Sequence, residues 1–150
     1  MKQILTIGTV MGALACYGVA AEKRVQMKDL PPAVQQAAQQ EQKSAEIKGF
    51  TKETEHGVTE YEIETVRNGR HRDISLDATG KVLAVEEETS IDAIPAAAKA
   101  AILKKVGTGK LNTVETITKG TAVLYEAGYK DTAGKSREVV VKADGMETKD

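Results

Sequence analysis

The sequence predicts an α+β fold: a tandem duplication of a helix followed by an antiparallel β-meander, with the helices packed on one face of the sheet. Three observations lead there. Two proline-led, alanine-rich stretches carry apolar residues at helical spacing. Several stretches alternate apolar and polar residues between glycine turns. The second half of the chain follows the first at an offset of 64 residues, with Leu30-Pro31 falling on Ile94-Pro95.

Pro31 opens the first helix, because a missing N–H is harmless in the first turn. Val34, Ala37, Ala38 and Glu41 then follow at helical spacing, and Lys48-Gly49 lies just beyond the end. A less regular strand near Ile47 to Thr54 comes next. Thr59 to Val66 has period 2, with Tyr61, Ile63 and Thr65 on one face and Glu60, Glu62 and Glu64 on the other. Asn68-Gly69 is a strong hairpin signal. His71 to Asp77 alternates again with Ile74 and Leu76 inward, Asp77 to Gly80 turns the chain, and Lys81 to Glu87 forms a further strand.

The second half repeats the plan. Pro95 opens a helix whose stripe is Ala98, Ala101 and Ile102, followed by Lys105 and Val106, and Gly107-Thr108-Gly109 stops it. A strand near Leu111 to Thr118 follows, then Val123, Tyr125, Ala127 and Tyr129 on one face of the next. Asp131 to Gly134 turns the chain, Val139 and Val141 return it, and Lys142 to Gly145 begins another turn. Tyr61-Glu62 aligns with Tyr125-Glu126. After one inserted residue, Ile74, Leu76 and Gly80 align with Val139, Val141 and Gly145. The expected organisation is a leader over 1–21, an extension over 22–29 and repeats over 30–89 and 94–150. One unit of about 60 residues buries a marginal core, which two units side by side improve.

Residues 1–21 read as an export signal: Lys2, an uncharged apolar run from Ile4 to Ala15, then Val19-Ala20-Ala21 as a small-x-small cleavage site. Cleavage after Ala21 would leave a periplasmic or secreted chain. An uncleaved membrane anchor is one alternative, and a lipid anchor on Cys16 is a minor one, because Ala13 and Leu14 fit a lipoprotein signal poorly. Cleavage removes the single Cys, and with it disulfides and thiol chemistry. Loss of Lys2 takes the net charge from -1 to -2.

This charge balance, 21 basic against 22 acidic residues in 150, lacks the basic excess of a nucleic-acid binder. With aromatics at 3%, the core must be built from Val, Ile, Leu and Ala. Gly134-Lys135-Ser136 and Gly107 to Lys110 fail as phosphate loops in spacing and context. His71-Arg72-Asp73 spells the start of a kinase loop without the other kinase motifs. His56 and His71 lack a second ligand at zinc-site spacing. No residue is assigned a catalytic, cofactor-binding or metal-binding role.

The charged rows are the remaining candidates. Glu86 to Glu88 reads as a solvated strand edge that discourages aggregation. Glu60, Glu62 and Glu64 repel one another unless basic groups answer them, and Arg70 and Arg72 across the Asn68-Gly69 turn are read as doing so. The candidate partner-binding residues are therefore Tyr61, Glu62, Glu64, Arg70, Arg72, Tyr125 and Glu126. The tyrosines also fit a plain core role.

Leu30-Pro31, Lys52-Glu53, Tyr61-Glu62, Gly69, Asp77 with Gly80, Val82-Leu83 and Glu86-Glu87 together resemble the bacterial PepSY-like proteins. The plan is also similar to the beta-lactamase-inhibitor-protein-like proteins. The resemblance covers 30–88 well and 94–145 more loosely, and the second half lacks the Lys-Glu pair and the acidic last strand. It implies a helix on an antiparallel sheet and a non-catalytic envelope module that binds or restrains a peptidase or another envelope enzyme. The partner is then a protein of the cell envelope, and the cleaved chain is expected to have no membrane span. The alternative is a sensor or carrier of a small ligand or cation held between the helices and the sheet.

Overall fold

The computed structural model describes residues 22–55 and 57–148. The leader, its cleavage site, Cys16 and His56 lie outside them. The chain forms β1 (Lys23–Arg24), a 3-10 turn (Met27–Asp29), α1 (Pro32–Glu41), β2 (Glu46–Glu55), β3 (Val58–Arg67), β4 (Arg70–Asp77), β5 (Val82–Glu88), α2 (Ala96–Val106), β6 (Lys110–Lys119), β7 (Ala122–Lys130), β8 (Ser136–Lys142) and β9 (Glu147–Thr148). The nine strands make one antiparallel sheet in sequence order.

The expected tandem helix-and-meander α+β duplication is therefore corrected. The described residues form mostly a single nine-stranded antiparallel sheet carrying two short helices. The decisive contact is β5 with β6, where Val85 lies opposite Thr118 and Glu88 opposite Glu115. That ladder satisfies backbone groups that two separate units would leave on open edges. The spans 30–89 and 94–150 consequently share one sheet. Glu86 to Glu88 is an interior strand segment and not an edge. The two outermost strands are only two residues long, which keeps the true edges short.

Local chemistry accounts for the joints. Asn68 and Gly69 have φ of 54 and 78, the left-handed pair that a two-residue hairpin turn requires. The Asp77 carboxylate accepts from the Thr79 and Lys81 backbone N–H groups. Asp131 does the same for Ala133 and Lys135. Gly145 sits at φ 85 beneath α2, so close that a Cβ there would lie 2.7 Å from the Ala97 carbonyl oxygen. Alanines on that helix make such an approach feasible, since a larger side chain would hold the turn away.

Residues directly opposite in an antiparallel ladder project to the same side. Ile74, Val85, Thr118 and Val123 follow one another across β4 to β7 and so mark a single face. Both helices lie on it. Under α1, Leu30, Val34 and Ala38 meet Phe50, Tyr61, Ile63, Ile74 and Leu76. Under α2, Ile94, Ala98, Ile102 and Val106 meet Val114, Ala127, Tyr129, Val139 and Val141. Each fully buried aliphatic side chain contributes about 1.5–3 kcal/mol. Among the described residues no helix is long and apolar enough to cross a membrane.

Candidate binding face

The opposite face of the sheet carries no helix among the described residues. Its composition follows from the register. One row runs Arg24, Thr51, Glu62, Ser75, Ala84. The next runs Gly49, Glu64, Asp73, Glu86, Ile117, Leu124. A third joins Glu88, Glu115, Glu126 and Val140. Two of these rows set three carboxylates directly opposite one another, an arrangement that destabilises a sheet. Ile117 is fully buried and Ala84 is 5% exposed, so neighbouring side chains on this face cover them.

The electrostatics reflect this crowding. Burial pushes the Glu62 carboxyl up to about 7, and the Asp73 charge adds to it. The Thr51 hydroxyl, donating at 3.0 Å, pulls the other way. Burial likewise pushes Glu115 up to about 7, with Glu86, Asp73 and Glu88 contributing after it. Asp73 is raised by burial, while the Thr65 backbone N–H donating at 3.2 Å opposes the shift. Desolvation dominates in all three, and neighbouring acids reinforce it.

One guanidinium is already seated here. Arg24 lies 2.9 Å from Glu64 and rests against the bare backbone of Gly49, where a Cβ would collide with it. Glu22, Glu62 and Glu64 also bring carboxylate oxygens within 4.8 Å of one another, a donor set of the kind that suits a hard cation.

The candidate residues divide between the two faces. Glu62, Glu64 and Glu126 lie on the helix-free face. Tyr61 is buried under α1, and Tyr125 is partly buried against the α2 core, which gives both a packing role. The expected pairing of Arg70 and Arg72 with the glutamate row is corrected. Arg72 lies opposite Thr65, and Arg70 opposite Arg67, so both project to the helix side. There Arg72 meets Glu41 of α1 at 2.8 Å, a half-sheltered ion pair in which the Arg72 Nε has no partner.

Asp73, Glu86 and Glu115 were not among the candidate partner-binding residues, and the register sets them in the middle of this face. For Asp73 a signal existed. A two-residue loop at Asn68-Gly69 places Arg67 opposite Arg70, and therefore Glu64 opposite Asp73. Glu115 had none, because its place depends on β5 pairing with β6.

A cavity of about 380 Å³ lies between α2 and the last strands, lined by Ala101, Val139, Val141 and Gly145, with Lys104, Lys105 and Glu147 at its polar side. Lys105 and Glu147 are ion-paired at 2.9 Å.

Comparison with known proteins places the fold. A Bacteroides eggerthii protein assigned to the periplasm superposes with a TM-score of 0.64 at 14% identity, over 80% of this chain and 86% of that one. A DUF2874 family protein from Bacteroides ovatus gives 0.61 at 13% identity, over 80% and 85%. A BLIP-like protein from Bacteroides fragilis gives 0.56 at 20% identity, over 79% and 83%. At these identities the likeness establishes a shared fold. No protein-family model and no curated protein matches the chain, so the PepSY-like resemblance has no family match behind it.

Proposed function

We propose that the chain is a non-catalytic binding module of the bacterial cell envelope, exported to the periplasm, which holds a protein partner on the helix-free face of its sheet. The single observation that carries this reading is the division of one sheet into two unlike faces. One is filled by helices and apolar side chains. The other aligns carboxylates on neighbouring strands, where burial and adjoining acids push Glu62 and Glu115 up to about 7. Departures from local stability rules of this kind concentrate at functional surfaces. The solved structures of like fold support the location, since they include a protein assigned to the periplasm. The BLIP-like protein of like fold supports the protein-binding class; restraint of a peptidase or another envelope enzyme is the finer form of the reading.

The test is to isolate the chain from its own envelope after mild cross-linking and weigh the complex by native mass spectrometry. A stoichiometric protein partner, together with an N-terminus at Glu22, is the expected result. Only a small mass increment on the chain would overturn the reading in favour of a ligand carrier.

A further inference from the structure

We propose that Glu22 to Val25 are a displaceable strap on the outer edge of β2. An extended segment of a protein partner takes their place, with an acidic residue opposite Lys52 and a basic residue opposite Glu53. The inference goes beyond the face-binding reading, because the site is an edge of the sheet and the partner adds a strand to it.

One joint occurs at two places in this sheet, complete at one and partial at the other. On β6, Val85 to Glu88 lie opposite Thr118 to Glu115, and the Thr89 N–H then donates to the Val114 carbonyl at 2.8 Å. On β2, the Val25 N–H donates to the Phe50 carbonyl at 3.1 Å in the corresponding place. Counting on from that carbonyl, Arg24 lies opposite Thr51 and Lys23 opposite Lys52, where β1 ends. The next two positions of β2 are Glu53 and Thr54. Their counterparts on β6, Ile117 and Thr118, face Glu86 and Val85. The Phe50 carbonyl points to the outer edge, so by alternation the backbone groups of Lys52 and Thr54 point there too. Those of Thr54 lie past the end of β1, where a longer strand would pair them.

The strap also matches its surroundings poorly at its tip. Lys23 is directly opposite Lys52, and like charges so placed destabilise a ladder. Glu22 brings its carboxylate within 4.8 Å of those of Glu62 and Glu64. Arg24 is the well-matched residue, 2.9 Å from Glu64. Both residues of β1 are exposed, so apolar burial does little to hold them. The base of the strap is firmer. Val25 and Met27 pack against the core under α1, and the Gln26 N–H donates to the Asp29 carboxylate at 3.2 Å. The tip can therefore leave β2 while the core stays closed.

The charges on β2 define the occupant. The strand presents Lys52 and then Glu53, and an antiparallel neighbour meets them in reverse order. A segment reading base then acid sets opposite charges at both positions. The strap reads Glu22 then Lys23, which is the inverse. Glu60 lies opposite Glu53 on the inner side, so a base beside Glu53 answers two acids at once.

The purified chain is titrated by calorimetry with two peptides of equal composition, acetyl-Thr-Val-Arg-Glu-Val-Thr-amide and acetyl-Thr-Val-Glu-Arg-Val-Thr-amide. The first sets Arg opposite Glu53 and Glu opposite Lys52, and it should bind about tenfold more tightly than the second. When it binds, amide hydrogen exchange should slow at Thr54 and quicken at Val25, whose bond to Phe50 is lost. Lys23→Glu, an exposed substitution that matches the strap to Lys52, should weaken the first peptide by about threefold. Equal affinities for the two peptides, a Val25 amide that keeps its protection, or unchanged affinity in Lys23→Glu would overturn the inference. Failure of both peptides to bind also overturns it, and leaves the face-binding reading standing.

Discussion

The two faces of this sheet are built from the same strands and obey opposite rules. On the helix side, Ile63, Ile74, Val114 and Val139 are buried among other apolar groups, and their chemistry ends at packing. One residue away along each strand, burial raises the carboxyls of Glu62, Asp73 and Glu115, and neighbouring acids add to the shift. The helix side stabilises the fold, and the other side gives back part of that stability. A single ladder thus separates a packed apolar surface from an acidic one by the period of two alone.

The contrast can be broken most severely from the helix side. Ile63→Ala removes a fully buried side chain from beneath α1. It should lower unfolding free energy by about 3–4 kcal/mol, read from urea denaturation. Gly145→Ala attacks the same face through the backbone. It combines a left-handed φ of 85 with a Cβ 2.7 Å from the Ala97 oxygen, and a loss of roughly 2–3 kcal/mol is expected. Unchanged stability in either variant would mean that the helices contribute less than their burial implies.

From the other face the sign reverses. Folded Glu62 and Glu115 titrate at about 7 against an ordinary 4.5. Between those values the folded chain holds protons that the unfolded chain has lost. Stability from these groups is therefore full below about pH 4.5 and declines as pH rises toward 7. The double variant Glu62→Gln, Glu115→Gln should be more stable than the parent at pH 8, by on the order of 1–2 kcal/mol after allowance for solvent screening. It should also show a flatter stability profile between pH 5 and 8. A double variant that is less stable at pH 8 would show that these carboxylates support the fold. The smallest effect belongs to the exposed Lys99–Asp92 pair at 2.6 Å. Asp92→Asn should change stability by less than about 0.5 kcal/mol, and a larger loss would show that this exposed pair takes part in holding α2.

The sequence by itself determined the local elements. Period 2 in Thr59 to Val66, the Asn68-Gly69 turn, the aspartate-led turns and the proline-led helices are each decided within a few residues, by backbone sterics and short-range hydrogen bonds. It also set which residues share a side within any one strand. Only the tertiary structure decided which strands became neighbours: β5 beside β6, so that Glu115 joined a cluster begun by Glu62 fifty-three positions earlier. Even within the hairpin of β3 and β4, the glutamate row faces Ser75 and Asp73 and not Arg70 and Arg72, because a shift of one residue carries every side chain to the opposite face. Alternation along a strand is a local property. The composition of a face is a sum over strands joined by hydrogen bonds between distant segments, and no short window of sequence contains it.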